Sequence, residues 1–256
     1  YPDAARYLSD RGVRPETIAA FRVGYAPPES SGWRIFTDYA LKQGYTIQEL
    51  ERAGLVVKKQ SAADHGSRVT SYDRFRNRIM FPITDGNGRP VGFGGRIFPA
   101  QGGSAPGGGE SAQAPAKYIN SPQTALYDKS RVLYAFDKAK TAIRKENACI
   151  VVEGYMDALM AHQAGTAHVV AVSGTALTHQ QLQVLRRLCD TMVAAFDMDQ
   201  AGETATRRSI DAALAMGFNV KAIAISGGKD PADLVQEGAE RWTAAVLAAE
   251  HVISYF

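Results

Sequence analysis

From residue 149 onward, continuous apolar runs alternate with helical stripes. Cys149–Val152, His168–Val172, Met192–Phe196 and Val220–Ile225 have the length and composition of buried strands. Between them Met156, Leu159 and Met160 recur at helical spacing, as do Leu182, Leu185 and Leu188, and then Ile210, Ala213 and Leu214. Gly165 ends the first stripe and Gly217 the third, as C-terminal glycines do. Apolar strands separated by amphipathic helices predict a parallel sheet covered on both faces. A further helix is expected over Asp230–Gln236, after the Gly227-Gly228-Lys229 loop. Trp242–Phe256 reads as one more helical segment, without an obvious finishing element.

The first 148 residues carry a different pattern. Tyr1-Pro2-Asp3 opens a helix through Leu8, and Arg14-Pro15-Glu16 opens another through Phe21. A loop spans Ala26-Pro27-Pro28 to Gly32. Ile35, Tyr39 and Ala40, then Ile47, Leu50 and Leu55, recur at helical spacing. Residues 72–98 read as a β-hairpin with arms Tyr72–Ile83 and Pro90–Phe98 and the turn Asp85-Gly86-Asn87-Gly88. In the first arm Arg74, Arg76 and Arg78 alternate with Phe75, Asn77 and Ile79, so a strand would put all three guanidinium groups on one face. Such a row is either a solvated edge that discourages strand pairing or a surface for an anion. The glycines of Gly92-Phe93-Gly94-Gly95-Arg96 favour the second reading, because glycine in a strand marks a close approach or a bulge. Residues 99–116 are low in complexity and read as a flexible loop. Tyr134–Lys145 predicts a helix.

Composition sharpens this picture in one respect. The net charge of +3 is the sum of two unlike parts. Residues 1–140 carry 20 basic and 13 acidic side chains, a net +7; residues 141–256 carry 9 and 13, a net −4. A basic half joined to an acidic half suits a polyanion gripped by one part and a cation held by the other. The 45% apolar content suffices for a core, and no apolar run has the length of a membrane span. Cys149 and Cys189 form no CxxC pair, so buried thiols in a reduced cytoplasmic protein are expected and zinc is not.

The chemistry gathers where strands stop. Glu153 follows the first strand of the second half, with Asp157 in the first turn of the next helix. Asp197 and Asp199 follow the third strand, and Asp230 opens the helix after the fourth. In a parallel sheet these strand ends emerge on one edge, where ligands of open α/β sheets bind. Acids also favour helix N-termini for their own sake, which accounts for Asp157 and Asp230 better than for Glu153. Five carboxylates at one edge suit Mg²⁺.

Three of these stretches, Glu153-Gly154-Tyr155-Met156-Asp157, Phe196–Gly202 and Gly228-Lys229-Asp230-Pro231, resemble the signatures of the Toprim domain. Upstream, RFRNRIMFPI at Arg74–Ile83, GFGGR at Gly92–Arg96 and KYINSP at Lys117–Pro122 resemble the basic motifs of bacterial DnaG-type primases. Topoisomerases share the acids but not the upstream motifs. The resemblance covers nearly the whole chain, with the motifs in the family's order. It implies an α/β architecture: a basic α+β subdomain over 1–146, a Toprim (Rossmann-like, mostly parallel) catalytic domain over 147–240, and the start of a truncated C-terminal helical segment over 241–256.

The resemblance also implies an activity: short RNA primers made on single-stranded DNA from ribonucleoside triphosphates during replication. Glu153, Asp197 and Asp199 are then the catalytic acids, Glu153 as metal ligand or as general acid/base. Glu153, Asp157, Asp197, Asp199 and Asp230 form the metal set. Arg74, Arg76, Arg78, Arg96, Lys117, Asn120, Lys129 and Lys229 are expected on template or nucleotide. The implied partners are the template, the RNA primer, and a replicative helicase and zinc-binding domain reached through regions absent from this chain. The sequence departs from the family at Ala232, where a second acid is usual and Asp233 comes one residue later. Two competing readings are a Toprim nuclease or topoisomerase fragment and a catalytically silent domain that binds single strands or nucleotides.

Overall fold

The computed structural model describes residues 1–60, 69–99, 116–174, 176–196, 203–225 and 229–252. Nearly all of the expected glycine-rich loop at 99–116 lies outside the described residues. In chain order the elements are α1 (Pro2–Asp10), α2 (Pro15–Phe21), β1 (Gly24–Ala26), α3 (Ile35–Lys42), α4 (Ile47–Arg52), β2 (Val56–Gln60), β3 (Val69–Asp73), β4 (Arg78–Thr84), β5 (Pro90–Ile97) and β6 (Tyr118–Asn120). There follow α5 (Phe136–Glu146), β7 (Ala148–Val152), α6 (Tyr155–Gln163), β8 (Val169–Ala171), α7 (His179–Arg186), β9 (Thr191–Ala195), α8 (Glu203–Ala215), β10 (Asn219–Ala222), α9 (Pro231–Glu237), α10 (Ala239–Leu247) and β11 (Glu250–His251). No described helix is long and apolar enough to cross a membrane.

The chain divides into two units. The first comprises Tyr1–Arg6, Arg22–Pro82 and Gly92–Asp128; the second comprises Tyr7–Phe21, Ile83–Val91 and Lys129–Phe256. In the first, β1, β4, β5 and β6 form a sheet in that order, and β2 pairs antiparallel with β3. Ile79 and Phe81 of β4 are fully buried. The expected arm Tyr72–Ile83 is not one strand. β3 stops at Asp73, Arg74–Asn77 is irregular, and β4 starts afresh at Arg78. Two residues cause the break. Asn77 takes a left-handed φ of 49°, which asparagine tolerates. The buried Asp73 carboxylate turns away from the ladder to cap α3, accepting from Phe36 N at 2.8 Å and Thr37 N at 2.9 Å.

In the second unit β7, β8, β9 and β10 run parallel, in the sheet order β11-β10-β9-β7-β8. One apolar cluster joins the sheet to its helices: Cys149, Val151, Val170, Met192 and Val220 from the strands, Ile143, Leu182, Leu185, Ile210 and Ala213 from the helices. The strand and helix pattern of this half is as expected, save that Leu214 of the third stripe is exposed. The expected helix over Trp242–Phe256 ends at Leu247. β11 then pairs antiparallel with β10, Lys221 opposite His251, and Val252 enters the core. A strand satisfies the edge of β10 and buries Val252, which a continued helix would not do.

Candidate functional site

The register of the parallel sheet sets two strand ends side by side: Val152 of β7 lies opposite Ala195 of β9. Glu153 is the next residue after β7. Its side chain is exposed, and its carbonyl accepts from Ser173 N at 2.9 Å, just past β8. Ser173 holds a left-handed φ of 58°, so the chain turns sharply at this edge. Phe196 follows β9 and is buried; Asp197 and Asp199 lie outside the described residues.

Asp157 and Asp230 have identifiable structural work. Asp157 is buried in the first turn of α6. Gly154 N donates to its Oδ2 at 2.9 Å, and Ala232 N, in the first turn of α9, donates to its Oδ1 at 3.4 Å. One carboxylate therefore serves the amino ends of two helices. Burial first, then the charge of Asp230, push its pKa up to about 7 against the pull of the two amides. Asp230 caps α9, accepting from Asp233 N at 2.8 Å, while its own N donates to Asp233 Oδ2 at 3.3 Å. Burial also raises Asp230; the Asp233 amide and the Arg11 charge oppose it. Asp233 is thus the reciprocal member of a capping box, and buried Ala232 contributes its amide. The metal roles expected of Asp157 and Asp230 have to be set against these caps. Among the described residues, no three carboxylate, imidazole or thiol groups come together as a cation site. Lys229 pairs with Glu237, and half-buried Lys129 offers its carbonyl to Gln181 Nε2 at 3.2 Å.

In the first unit the arginines do not form one row. Arg78 is buried, and its Nη1 donates to Gly95 O at 3.0 Å and Ala116 O at 3.1 Å. Burial, then the charge of Arg76, lower its pKa. A Cβ on Gly95 would meet Arg78 Cδ at 2.9 Å and the Phe75 ring at 2.9 Å, so this glycine makes room for the arginine stem. Arg76 pairs with Glu29 at 2.9 Å, donates to Asp73 O, and lies 4.8 Å from the ring centroids of both Trp33 and Tyr72. Arg74 reaches Asn120 O at 3.4 Å. Arg96 stands opposite Tyr118 in the β5–β6 register, bonds its hydroxyl at 3.0 Å and lies 5.5 Å from its ring centroid. Gly94 and Asn120, two positions along, occupy the same side; Gly95 and Ile119, with the Arg78 stem, occupy the other. Lys117 is exposed at the start of β6. The expectation of a shared guanidinium face is therefore corrected. The loop breaks the alternation, and Arg78 turns into the fold.

Sequence reasoning passed over Asp73, the residue that ends the strand. An aspartate inside an apparent strand was a usable signal, because strands are depleted in Asp.

Residues 2–140 match the family described as the DNA primase catalytic core, N-terminal domain, and residues 150–235 match the Toprim-like family. A DNA primase of Halalkalibacterium halodurans is 38% identical over 251 residues; the alignment covers 98% of this chain and 38% of that protein. The crystal structure of the RNA polymerase domain of Mycobacterium tuberculosis primase DnaG is similar with a TM-score of 0.81 at 31% identity, covering 99% of this chain and 78% of the other. A DnaG primase catalytic domain bound to ssDNA is similar with a TM-score of 0.77 at 35% identity, covering 97% and 72%.

Proposed function

The chain belongs to the family of DnaG-type DNA primase catalytic cores, and from that premise we propose that it synthesises RNA primers on single-stranded DNA during replication. One observation carries the proposal: the primase-specific N-terminal family and the Toprim-like family match in succession along one chain. A nuclease or topoisomerase would require only the second. The reaction is nucleotidyl transfer. A primer 3′-hydroxyl attacks the α-phosphate of a ribonucleoside triphosphate, the new phosphodiester forms, and pyrophosphate leaves.

Glu153 fits a ligand or proton-transfer role, since its carboxylate is exposed at the edge where β7 ends. With Asp197 and Asp199 it would hold Mg²⁺ or Mn²⁺. Such an ion neutralises charge on the reacting phosphates when bound. Asp157 and Asp230 shape the loop edges by capping α6 and α9. Template or nucleotide binding is proposed of Lys129 and Lys229 in the second unit and, separately, of Arg74, Arg96, Lys117 and Asn120 in the first. Arg76 and Arg78 hold the loop and strand that present them. Single-stranded DNA as template is supported by the relative bound to ssDNA. The proposal extends to a helicase and a zinc-binding domain as partners and to the cytoplasm as the place of action.

The test is incubation with single-stranded template, labelled ribonucleotides and Mn²⁺. Template-dependent RNA is expected. DNA cleavage without synthesis would establish the nuclease or topoisomerase reading instead. Retention of template without either product would mark a silent binding domain.

A further inference from the structure

The first unit holds an open cavity of about 660 Å³, of whose wall only Arg74 has been given a binding role above. Apart from the carboxylates of Asp3 and of Glu29, which is paired with Arg76, its wall combines two chemistries. One part is aromatic: Tyr25 and Phe98 both line it, their ring centroids 5.4 Å apart at 72°. The pair is held by Asn77, which accepts from Tyr25 Oη at 3.0 Å and donates from Nδ2 to Phe98 O at 3.0 Å. The other part is cationic. Of the three arginines that line the cavity, Arg76 is committed to Glu29 and Asp73 O, and Arg78 to the carbonyls of Gly95 and Ala116. Arg74 differs. Its Nε is buried with no hydrogen-bond partner, and its Nη2 makes one long bond of 3.4 Å to Asn120 O. That guanidinium lines the cavity with a single long internal bond, and an anion in the cavity would meet its terminal N–H groups rather than the enclosed Nε. Ile97 and Ile119 add apolar wall on the sheet side away from Arg96 and Tyr118.

We propose that this cavity is a subsite for one unstacked nucleotide, with its phosphate at Arg74 and its base against Tyr25 and Phe98. The volume is that of a small-ligand site, which spans roughly 300–1,000 Å³, and is too small for paired strands. An anion suits Arg74 and a flat ring suits the aromatic pair, and a nucleotide supplies both. A nucleotide of a single strand and a free nucleoside monophosphate share this chemistry. The inference rests on the template reading only for the source of the nucleotide.

The experiment photo-crosslinks the protein to two probes: a thymidine pentadecamer carrying one 5-iododeoxyuridine, and free 5-iododeoxyuridine monophosphate. Cross-linked peptides are mapped by mass spectrometry, and pentadecamer binding is followed by fluorescence anisotropy. A cross-link at Tyr25 or Phe98 is expected with at least one probe. Cross-linking by the strand alone assigns the site to the strand; cross-linking by the monophosphate assigns it to free nucleotide. Phe98→Leu keeps apolar contact and should weaken the cross-linking probe's binding about fivefold or more, the effect of losing one stacked base. Its circular dichroism should remain that of the wild type. If the pentadecamer binds but cross-links only elsewhere, and the monophosphate gives no cross-link, the subsite is refuted while the template reading stands. Wild-type affinity in Phe98→Leu also refutes it. If the pentadecamer does not bind at all, the template reading fails, and the monophosphate alone decides the subsite: a cross-link at Tyr25 or Phe98 sustains it, none refutes it.

Discussion

In the Toprim unit the carboxylates stand at amino ends of helices and at the end of a strand. In the hairpin unit the guanidinium groups point at carbonyls and rings. Opposite charges, but each set divides the same way. Asp157 is buried with two amides on its two oxygens, while Glu153, four residues earlier, is exposed. Arg78 is buried with two carbonyls on its guanidinium, while Lys117 is exposed. A charged side chain whose hydrogen-bonding capacity is used within its own unit holds the fold. The exposed ones, Glu153 and Lys117, lie beside strand ends, where a substrate would meet them. The division predicts which substitutions remove activity and which remove stability.

The largest contrast should come from Glu153→Gln against Asp157→Asn. Glu153→Gln should lower primer synthesis by at least about a hundredfold if this carboxylate transfers a proton or holds the cation. Its melting temperature should stay near that of the wild type, because surface substitutions typically change stability by no more than about 0.5 kcal/mol. Asp197→Ala and Asp199→Ala should likewise lower primer synthesis. Primer yields at the wild-type level from these folded variants would remove the catalytic assignment. Asp157→Asn should instead lose stability, since an amide nitrogen would face one of the two N–H donors.

Next in size is Arg78→Met, which keeps the stem beside Gly95 and removes the bonds to Gly95 O and Ala116 O. A loss of about 3 kcal/mol is expected, because bonds to a charged donor contribute about 1.5–3 kcal/mol each. Arg96→Met should cost less, about 1–2 kcal/mol for one hydrogen bond and one ring contact, and show its main effect in nucleotide or template binding. Urea denaturation of both variants checks the order. Equal losses would mean that exposure does not separate the two arginines.

How far the sequence foretold these roles differs between the units. The parallel sheet was legible because apolar runs such as Ile150–Val152 and helical stripes such as Leu182 and Leu185 carry their period in the residues themselves. The arginine loop was not. Its alternation of Arg74, Phe75, Arg76, Asn77 and Arg78 has the period of a strand, and a strand was inferred. What overrode the period is a long-range contact, Asp73 reaching the amides of Phe36 and Thr37, that no local pattern encodes. β11 was missed for the same reason: two residues pair with β10 across a separation that periodicity does not see. In the site, the acids were visible as residue types. That Asp157 and Asp230 serve as caps became visible only when α6 and α9 met.

A change spread over several pH units tests Asp157. An unfolded aspartate ionises near 3.9, whereas burial and Asp230 hold Asp157 at about 7 in the fold. Below the lower value both states carry the proton and there is no difference. Between the two values the unfolded chain has lost a proton that the folded chain keeps, so stability falls as pH rises, by up to about 1.4 kcal/mol per unit. Above about 7 the loss is complete and the curve flattens. The raised pKa of Asp230 acts in the same direction. Denaturation in EDTA from pH 4.5 to 8 should show the decline in the wild type and a shallower one in Asp157→Asn. A wild-type stability that rises across this window would mean that the two amides outweigh burial and keep the carboxylate ionised.

The smallest effect separates two neighbours in the arginine loop. Each phosphate contact to a single strand contributes about 0.7 to the slope of log affinity against log salt. Arg74 has donors free of strong partners, whereas Arg76 is held by Glu29, Asp73 O and two aromatic rings. Arg74→Gln should therefore reduce the slope by about 0.7 and leave stability nearly unchanged, if a strand phosphate occupies its place. Arg76→Gln should leave the slope alone and cost about 1–2 kcal/mol, through the half-buried ion pair and the ring contacts. Anisotropy titrations of a labelled single strand at several salt concentrations, without nucleotide, read the first quantity, and urea denaturation reads the second. A slope change in Arg76→Gln as large as in Arg74→Gln would show that the pair with Glu29 opens for the strand. No slope change in either would place the template away from this loop, and a raised KM for nucleotide in Arg74→Gln would then identify the phosphate at Arg74 as that of a free nucleotide.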